Sequence, residues 1–250
     1  MTAQHASAPT ALGAVADGVV ADALSAPRPL RPGVDLLREG EATDRIHVLT
    51  DGWAYRYKTK RDGVRQVVAV LLPGDCANLD SVAFPRTDYA VRALTPARIA
   101  TVRRDRLEKL ADERSDVARA LARAAMAENA VLSQWALRLG RQSAIGRLAH
   151  LLCEMSARLG DGDAPADRFE LPMTQELIAD TIGLTPVHVN RTMQQLRAGG
   201  LIATTGRTVA VPDQARLRVA GEFDPAYLHR GTDGTADGYA RSGERARPAT

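Results

Sequence analysis

Residues Thr174–Ile202 read TQELIADTIGLTPVHVNRTMQQLRAGGLI. Two short amphipathic helices fit this stretch. Thr174 can cap the first, which runs through Thr181. Gly183 then permits a tight turn with no Cβ in the way. Thr185-Pro186 is a strong helix start, because the hydroxyl caps and proline at the first helical position loses no needed N–H. Gly199-Gly200 stops the second helix, since glycine tolerates the left-handed cap. Helices joined by so short a link must cross steeply.

The second helix divides into two faces. At about 100° per residue, Met193 and Leu196 fall within roughly 40° of Val189, and these three form the inward side. The first helix adds Leu177, Ile178 and Ile182, with small Ala179 at the crossing. Val187, Arg191 and Gln194 point away, flanked by Gln195, His188 and Asn190. Such side chains match base edges. Arg191 can bond guanine twice, Gln194 or Gln195 can do the same with adenine, and Val187 can touch a thymine methyl group. Downstream, Leu201–Thr204 and Thr208–Val211 flank Thr205-Gly206-Arg207, a hairpin whose tip carries an arginine. A winged helix-turn-helix follows. Val187, Arg191, Gln194 and Gln195 are the candidate base readers. Thr174, Thr185, His188, Asn190 and Arg207 are the candidate phosphate contacts.

Upstream, residues 104–159 contain no proline. Val117, Leu121, Ala124, Glu128, Val131 and Trp135 recur at three- or four-residue steps, giving one stripe on a long helix that Gly140 breaks. The stripe either packs on its own domain or forms a seam between two chains. Its length favours the seam, because a small sandwich cannot cover a helix of about 20 residues, or 30 Å. Val117, Leu121, Ala124, Val131 and Trp135 are therefore the expected dimer contacts. Glu128 is a cost on that stripe, or it faces the rim.

Residues 29–102 show short alternating runs separated by turns. Asp51-Gly52 and Arg61-Asp62-Gly63 are hairpin signals, and Pro73-Gly74-Asp75 is another turn. Many short strands at regular spacing argue for an antiparallel barrel or jelly roll. The expected fold class is α+β: an N-terminal antiparallel jelly-roll barrel, a long dimerisation helix and a C-terminal winged helix-turn-helix. The expected divisions are 1–26 (disordered, or a short helix near Ala14–Leu24), 27–103, 104–140, 141–220 and 221–250 (a disordered tail).

Composition constrains the partners weakly. The 250 residues are 45% hydrophobic, with a net charge of only +3. That excess is too small to argue for nucleic acid alone. The two cysteines, Cys76 and Cys153, suit a reducing cytoplasm. The chain lacks a run of about 18 apolar residues, so a membrane span is not expected.

These pieces resemble the Crp/Fnr superfamily of bacterial transcription regulators. The resemblance covers roughly residues 29–218. It is carried by the barrel ending Leu71-Leu-Pro-Gly-Asp-Cys-Ala…Tyr-Ala-Val-Arg-Ala-Leu-Thr, by the long helix, and most specifically by Leu171–Thr192 with Leu196-Arg197…Gly200-Leu-Ile. It implies a cyclic-nucleotide-binding-like barrel and a homodimer on a near-palindromic DNA operator. It also implies RNA polymerase and a small-molecule effector as further partners. Gly74, Asp75, Arg86 and Thr87 are the positions it assigns to an effector pocket. Two departures matter. Cyclic-AMP-binding members have Gly-Glu and then Arg-Ser or Arg-Thr in this cassette. Here Asp75 follows Gly74, Thr87-Asp88 stands at the second place, and Arg86-Thr87 lies one residue early. This argues against cyclic AMP. Val187 stands where the family often has glutamate, so the operator should differ, whereas Arg191 matches the family's base-contacting arginine.

Other chemistry is poorly supported. A four-cysteine cluster cannot be assembled from two cysteines, both read as buried fillers. His47, a single histidine in the barrel, offers no metal set, and no cofactor is expected. No nucleophile–base pairing points to an enzyme. The alternative reading is a small-molecule or redox signal-binding module whose DNA-binding domain is vestigial.

Overall fold

The computed structural model describes residues 20–162 and 164–230. The expectations for residues 1–19 and 231–250 lie outside them. After one helical turn, α1 (Ala21–Ala23), come seven strands: β1 (Arg28–Leu30), β2 (Asp35–Leu37), β3 (Arg45–Asp51), β4 (Ala54–Thr59), β5 (Arg65–Leu71), β6 (Ala90–Ala93) and β7 (Ala97–Arg103). They form two antiparallel sheets, ordered β1-β7-β3 and β2-β6-β4-β5. Leu37, Leu49, Ala54, Leu71, Tyr89, Val91 and Ile99 form a buried cluster drawn from both. Alternation explains this sandwich, because every second residue of a strand faces the opposite sheet.

The two Asp-Gly turns differ. Arg61-Asp62-Gly63 closes the β4–β5 hairpin, with Gly63 at φ 83°. Asp51-Gly52 does not close one, contrary to the sequence signal. β3 pairs with β7 and β4 with β5 and β6, so the chain changes sheet there. Gly52 sits at φ 82°, and a Cβ would collide with the Pro96 carbonyl. A side chain is excluded on both grounds.

Two helices replace the single one expected over 104–140. α2 (Arg104–Glu113) ends at Arg114, whose backbone is extended, and α3 runs from Ser115 to Arg141. Ser143 then caps α4 (Ala144–Leu159), its Oγ accepting from the Gly146 N–H at 3.1 Å. The predicted dimer stripe turns inward onto its own chain. Val117 is 1% exposed, and with Ala124 and Leu121 it packs against Ile46, Val48, Cys76, Val102 and Leu107. Trp135 is buried, and its indole N–H donates to Glu154 Oε2 at 2.8 Å. Val131 packs against the same buried cluster as Trp135. These five residues share the face of α3 that packs on the barrel and α4. The exposed face is a different one. It carries Ala118, Ala122, Ala125, Met126, Leu132, Ala136 and Leu137.

The C-terminal part holds β8 (Arg168–Glu170), α5 (Gln175–Ile182), α6 (Pro186–Ala198), β9 (Ala203–Thr205), β10 (Thr208–Ala210), α7 (Gln214–Gly221) and a 3-10 turn, Pro225–Leu228. The wing is a three-stranded sheet ordered β8-β10-β9. Sequence reading missed β8, a three-residue strand too short to show alternation. Residues 221–230, expected within a disordered tail, are folded instead. Phe223 is buried, the Tyr227 hydroxyl donates to Glu154 Oε2 at 3.0 Å, and the Gly221 carbonyl lies 3.0 Å from His150 Nδ1. Phe223, Tyr227 and Leu228 anchor this segment on the core.

Barrel and helical domain share a core. Tyr55, Val67 and Val70 belong to the same buried cluster as Leu148, Ile178 and Ile182. Ion pairs edge this junction: Arg65 reaches Asp180 at 2.6 Å, and Arg158 pairs with Asp75 while donating to the Val70 carbonyl at 2.9 Å.

Candidate nucleic-acid interface

Local chemistry fixes the two crossing helices. Thr174 Oγ1 accepts from the Leu177 N–H at 3.1 Å and starts α5. Gly183 ends it at φ 65°. Thr185 Oγ1 accepts from the His188 N–H at 3.3 Å, and Pro186 opens α6. At the far end Gly199 is helical, and it is Gly200, at φ 66°, that takes the left-handed turn. The expected inward face holds at Val189 and Leu196 and is rotated slightly at Met193. Met193 is half-buried, whereas Thr192 is buried, its hydroxyl donating to the His188 carbonyl at 2.8 Å. That back-bond hides the threonine's polarity, which is why an apolar pattern did not reveal it.

The outer face of α6 is open. Val187 is 79% exposed, and His188, Arg191, Gln194 and Gln195 are exposed with it. Asn190 sits differently. It is half-buried, its Oδ1 accepts from Gln194 Nε2 at 3.0 Å, and its Nδ2 donates to Gln175 Oε1 at 3.4 Å. Gln175, absent from the sequence-based set, closes this chain of amides from the first turn of α5. Gln194 keeps one N–H and its carbonyl oxygen, the pair that adenine requires.

Of the phosphate candidates, Thr174 and Thr185 have hydroxyl oxygens engaged as caps. His188 Nδ1 lies 3.0 Å from Thr185 Oγ1. Arg207 is exposed beside Gly206, which takes φ 58° at the wing tip. Arg197 was not anticipated. It donates to Thr204 Oγ1 at 3.1 Å and so ties α6 to the wing.

Three of the four effector-pocket candidates bond groups of their own chain. Asp75 is buried, accepts from the Leu72 N–H at 2.8 Å and pairs with Arg158. Burial pushes its carboxyl up, against the pull of Arg158. Arg86 is exposed and donates to the Gly40 carbonyl at 2.9 Å. Thr87 is buried, its hydroxyl donating to the Arg38 carbonyl at 3.0 Å. Gly74, at φ 95°, serves the turn. An arginine at this loop came instead from an unforeseen place. Arg56 of β4 is buried, and its Nε and Nη2 donate to the carbonyls of Ala77 and Cys76 at 2.9 and 2.7 Å. Its outer edge donates twice to Glu128 of α3, at 2.8 and 2.9 Å. Glu128 thus faces the barrel, neither a seam nor a free rim.

Cys76 and Cys153 are buried, and burial pushes both thiols up to about 12, far from reactive. His47 is buried, its Nδ1 lying 3.2 Å from Asn78 Oδ1. Among the described residues no helix is long and apolar enough to cross a membrane.

Comparison with known proteins agrees with this architecture. Residues 27–114 match the cyclic nucleotide-binding domain family and residues 146–220 the Crp-like helix-turn-helix domain family. The chain is 32% identical over 196 residues to the transcriptional activator protein FnrL of Cereibacter sphaeroides, covering 76% of this chain and 78% of that protein. It is 31% identical over 189 residues to the nitrogen fixation regulation protein FixK of Rhizobium meliloti, covering 75% and 83%. The solved structure of FixK2 from Bradyrhizobium japonicum superposes with a TM-score of 0.73 at 31% identity, over 78% of this chain and 96% of that one. These relatives are regulators and not enzymes.

Proposed function

The chain belongs to the Crp/Fnr family and is a DNA-binding transcription regulator; from that premise we propose that it reads a near-palindromic operator as a homodimer. The open outer face of α6 carries the reading. Arg191, Gln194, Gln195 and Val187 take the base edges, while Thr174, Thr185, His188 and Arg207 hold phosphates. Asn190 moves from a phosphate role to an orienting one, because both ends of its amide are engaged.

Dimerisation uses the exposed face of α3. Ala118, Ala122, Ala125, Asn129, Leu132 and Ala136 are spaced by alternating steps of four and three, the repeat of a coiled-coil seam. Alanines let two helices approach closely, and Asn129 is the kind of polar seam residue that fixes register. Met126 and Leu137, 66% and 54% exposed, flank the seam. Such a pair of α3 helices would set two α6 helices about 34 Å apart, one turn of duplex. As the relatives include named activators, RNA polymerase is the partner through which we expect it to act.

Selection from random duplexes followed by binding measurements tests this. Arg191→Ala should weaken binding to the selected operator by about 1–3 kcal/mol and relax one position per half-site. An equal loss on random duplex would contradict the base-reading role. The vestigial reading would predict no enriched sequence at all.

A further inference from the structure

The folded chain continues past α7. Gly221 ends that helix against the middle of α4, where a Cβ on it would lie 2.7 Å from the His150 nitrogen, so only glycine fits so close. Residues 222–230 follow. Two residues that are not glycine take left-handed backbone near the ends of this segment, Glu222 at φ 48° and His229 at φ 49°. L side chains rarely adopt that conformation, and it persists where surrounding contacts impose it. The shape of the segment is therefore dictated by what it packs on.

Its contacts gather at the junction of α3 and α4. Gln142 and Ser143 stand between those helices, both with extended backbone. Gln142 Nε2 donates to the Gly221 carbonyl at 3.0 Å, the carbonyl that His150 Nδ1 also faces. The Tyr227 hydroxyl donates to Glu154 of α4, and Arg230 donates to the Gly160 carbonyl at 3.1 Å, where α4 stops. Arg138, in the last turn of α3, is fully buried, and Tyr227 is among the groups that act on its charge. Its guanidinium finds no hydrogen-bond partner among the described residues. The Trp135 ring lies 4.4 Å away and the Glu154 carboxylate 3.7 Å. Burying a cation so loosely matched is costly. Strained backbone in the segment and a loosely matched cation at the junction both oppose this packing, so the anchors at Gln142, Phe223, Tyr227 and Arg230 are what hold it. The barrel grips the helical domain elsewhere, at α5, through Arg65 and Asp180.

We infer that residues 222–230 are a strap that pins the α3–α4 junction and so limits the angles at which the DNA-reading unit can stand to the dimer helix. This rests on the regulator reading above and deepens it. The strap restricts which half-site separations two reading units can reach together, and leaves alone which bases each one reads. Gln142 and Tyr227 are positioning residues, since both are taken up inside the joint.

The test uses the full chain and two mild variants. Tyr227→Phe keeps the ring and loses the hydroxyl; Gln142→Ala removes the junction's side of the bond to Gly221. In each, amide hydrogen exchange should quicken about tenfold in residues 139–147 and 222–230 together, and stay as in the wild type in residues 174–198. Selection from duplexes carrying two half-sites at varied separations gives the second readout. The wild type should accept one separation, and both variants several, with the same bases enriched in each half-site. A packing defect alone would weaken binding at every separation alike. Phe223→Ala should act in the same direction and more strongly; if it does not fold, the two mild variants carry the test. Junction amides that exchange as in the wild type, or an unchanged preference for one separation, overturn the strap. If the wild type enriches no sequence, the regulator reading fails, while exchange at residues 139–147 still decides whether the strap pins the junction.

Discussion

At the scale of single residues, the outward face of α6 was legible because helical geometry projects side chains by rotation alone. Once Thr185-Pro186 and Gly199-Gly200 fix the ends, Val189 and Leu196 can only point in, and Val187 and Arg191 can only point out. The Gln175–Asn190–Gln194 chain was not legible, because it joins two helices whose crossing sequence alone does not give. It makes specific demands. Asn190→Ala frees the Gln194 amide to rotate, so the preference at the base pair under Gln194 should flatten in a selection experiment while that under Arg191 stays sharp. Uniform weakening at every position would show that Asn190 holds phosphate after all. Val187→Glu replaces a methyl-seeking group with an acceptor for the cytosine amino group. One operator position should then change from thymine to cytosine; an unchanged selected sequence would remove Val187 from the reading set.

At the scale of elements, α3 carries two stripes, and the louder one misled. Val117, Leu121, Val131 and Trp135 lie on a stripe of three- or four-residue steps that holds little alanine, so a hydrophobic pattern finds them first. Those are the groups that the chain's own barrel and α4 bury. The neighbouring stripe, about 100° round the helix, is mostly alanine and reads faintly from sequence, yet it is the one left exposed. The two faces should therefore respond differently to substitution. In the proposed seam, Leu132→Glu would set a carboxylate against its own symmetry mate, where like charges repel. Sedimentation should show a monomer at micromolar concentration, with helix content by circular dichroism preserved. Trp135→Ala empties a buried site and strands Glu154 without its indole donor, and chemical denaturation should register a loss of roughly 3–5 kcal/mol. A dimeric Leu132→Glu would return the seam to another surface.

At the scale of the whole molecule, the joint between barrel and helical domain was invisible in sequence, because its partners lie far apart: Arg65 with Asp180 and Asp75 with Arg158. Within the helical part, Trp135 and Tyr227 likewise meet on Glu154. His150 is part of the same buried region. Its Nδ1 faces the Gly221 carbonyl, its Nε2 lies 3.0 Å from the Tyr227 hydroxyl, and Phe223 meets the ring edge-on. Burial holds its pKa below the ordinary 6.5; Arg138 lowers it further, and Glu154 opposes them. His47 is lowered by burial as well. The sign follows from linkage. A histidine whose folded pKa is depressed binds fewer protons folded than unfolded between the two values. Its stability contribution is complete above about pH 6.5 and is lost progressively as pH falls toward the folded value. The denaturation midpoint should therefore drop between pH 7 and pH 5.5. His150→Gln, which cannot take up a proton, should flatten that slope whatever it does to the midpoint at pH 7, leaving the share due to His47. Loosening should begin where residues 221–230 pack on α4, and hydrogen exchange should rise there before it rises in the barrel. A midpoint indifferent to pH across this range, or an undiminished slope in His150→Gln, would mean that His150 takes its proton without disturbing the fold.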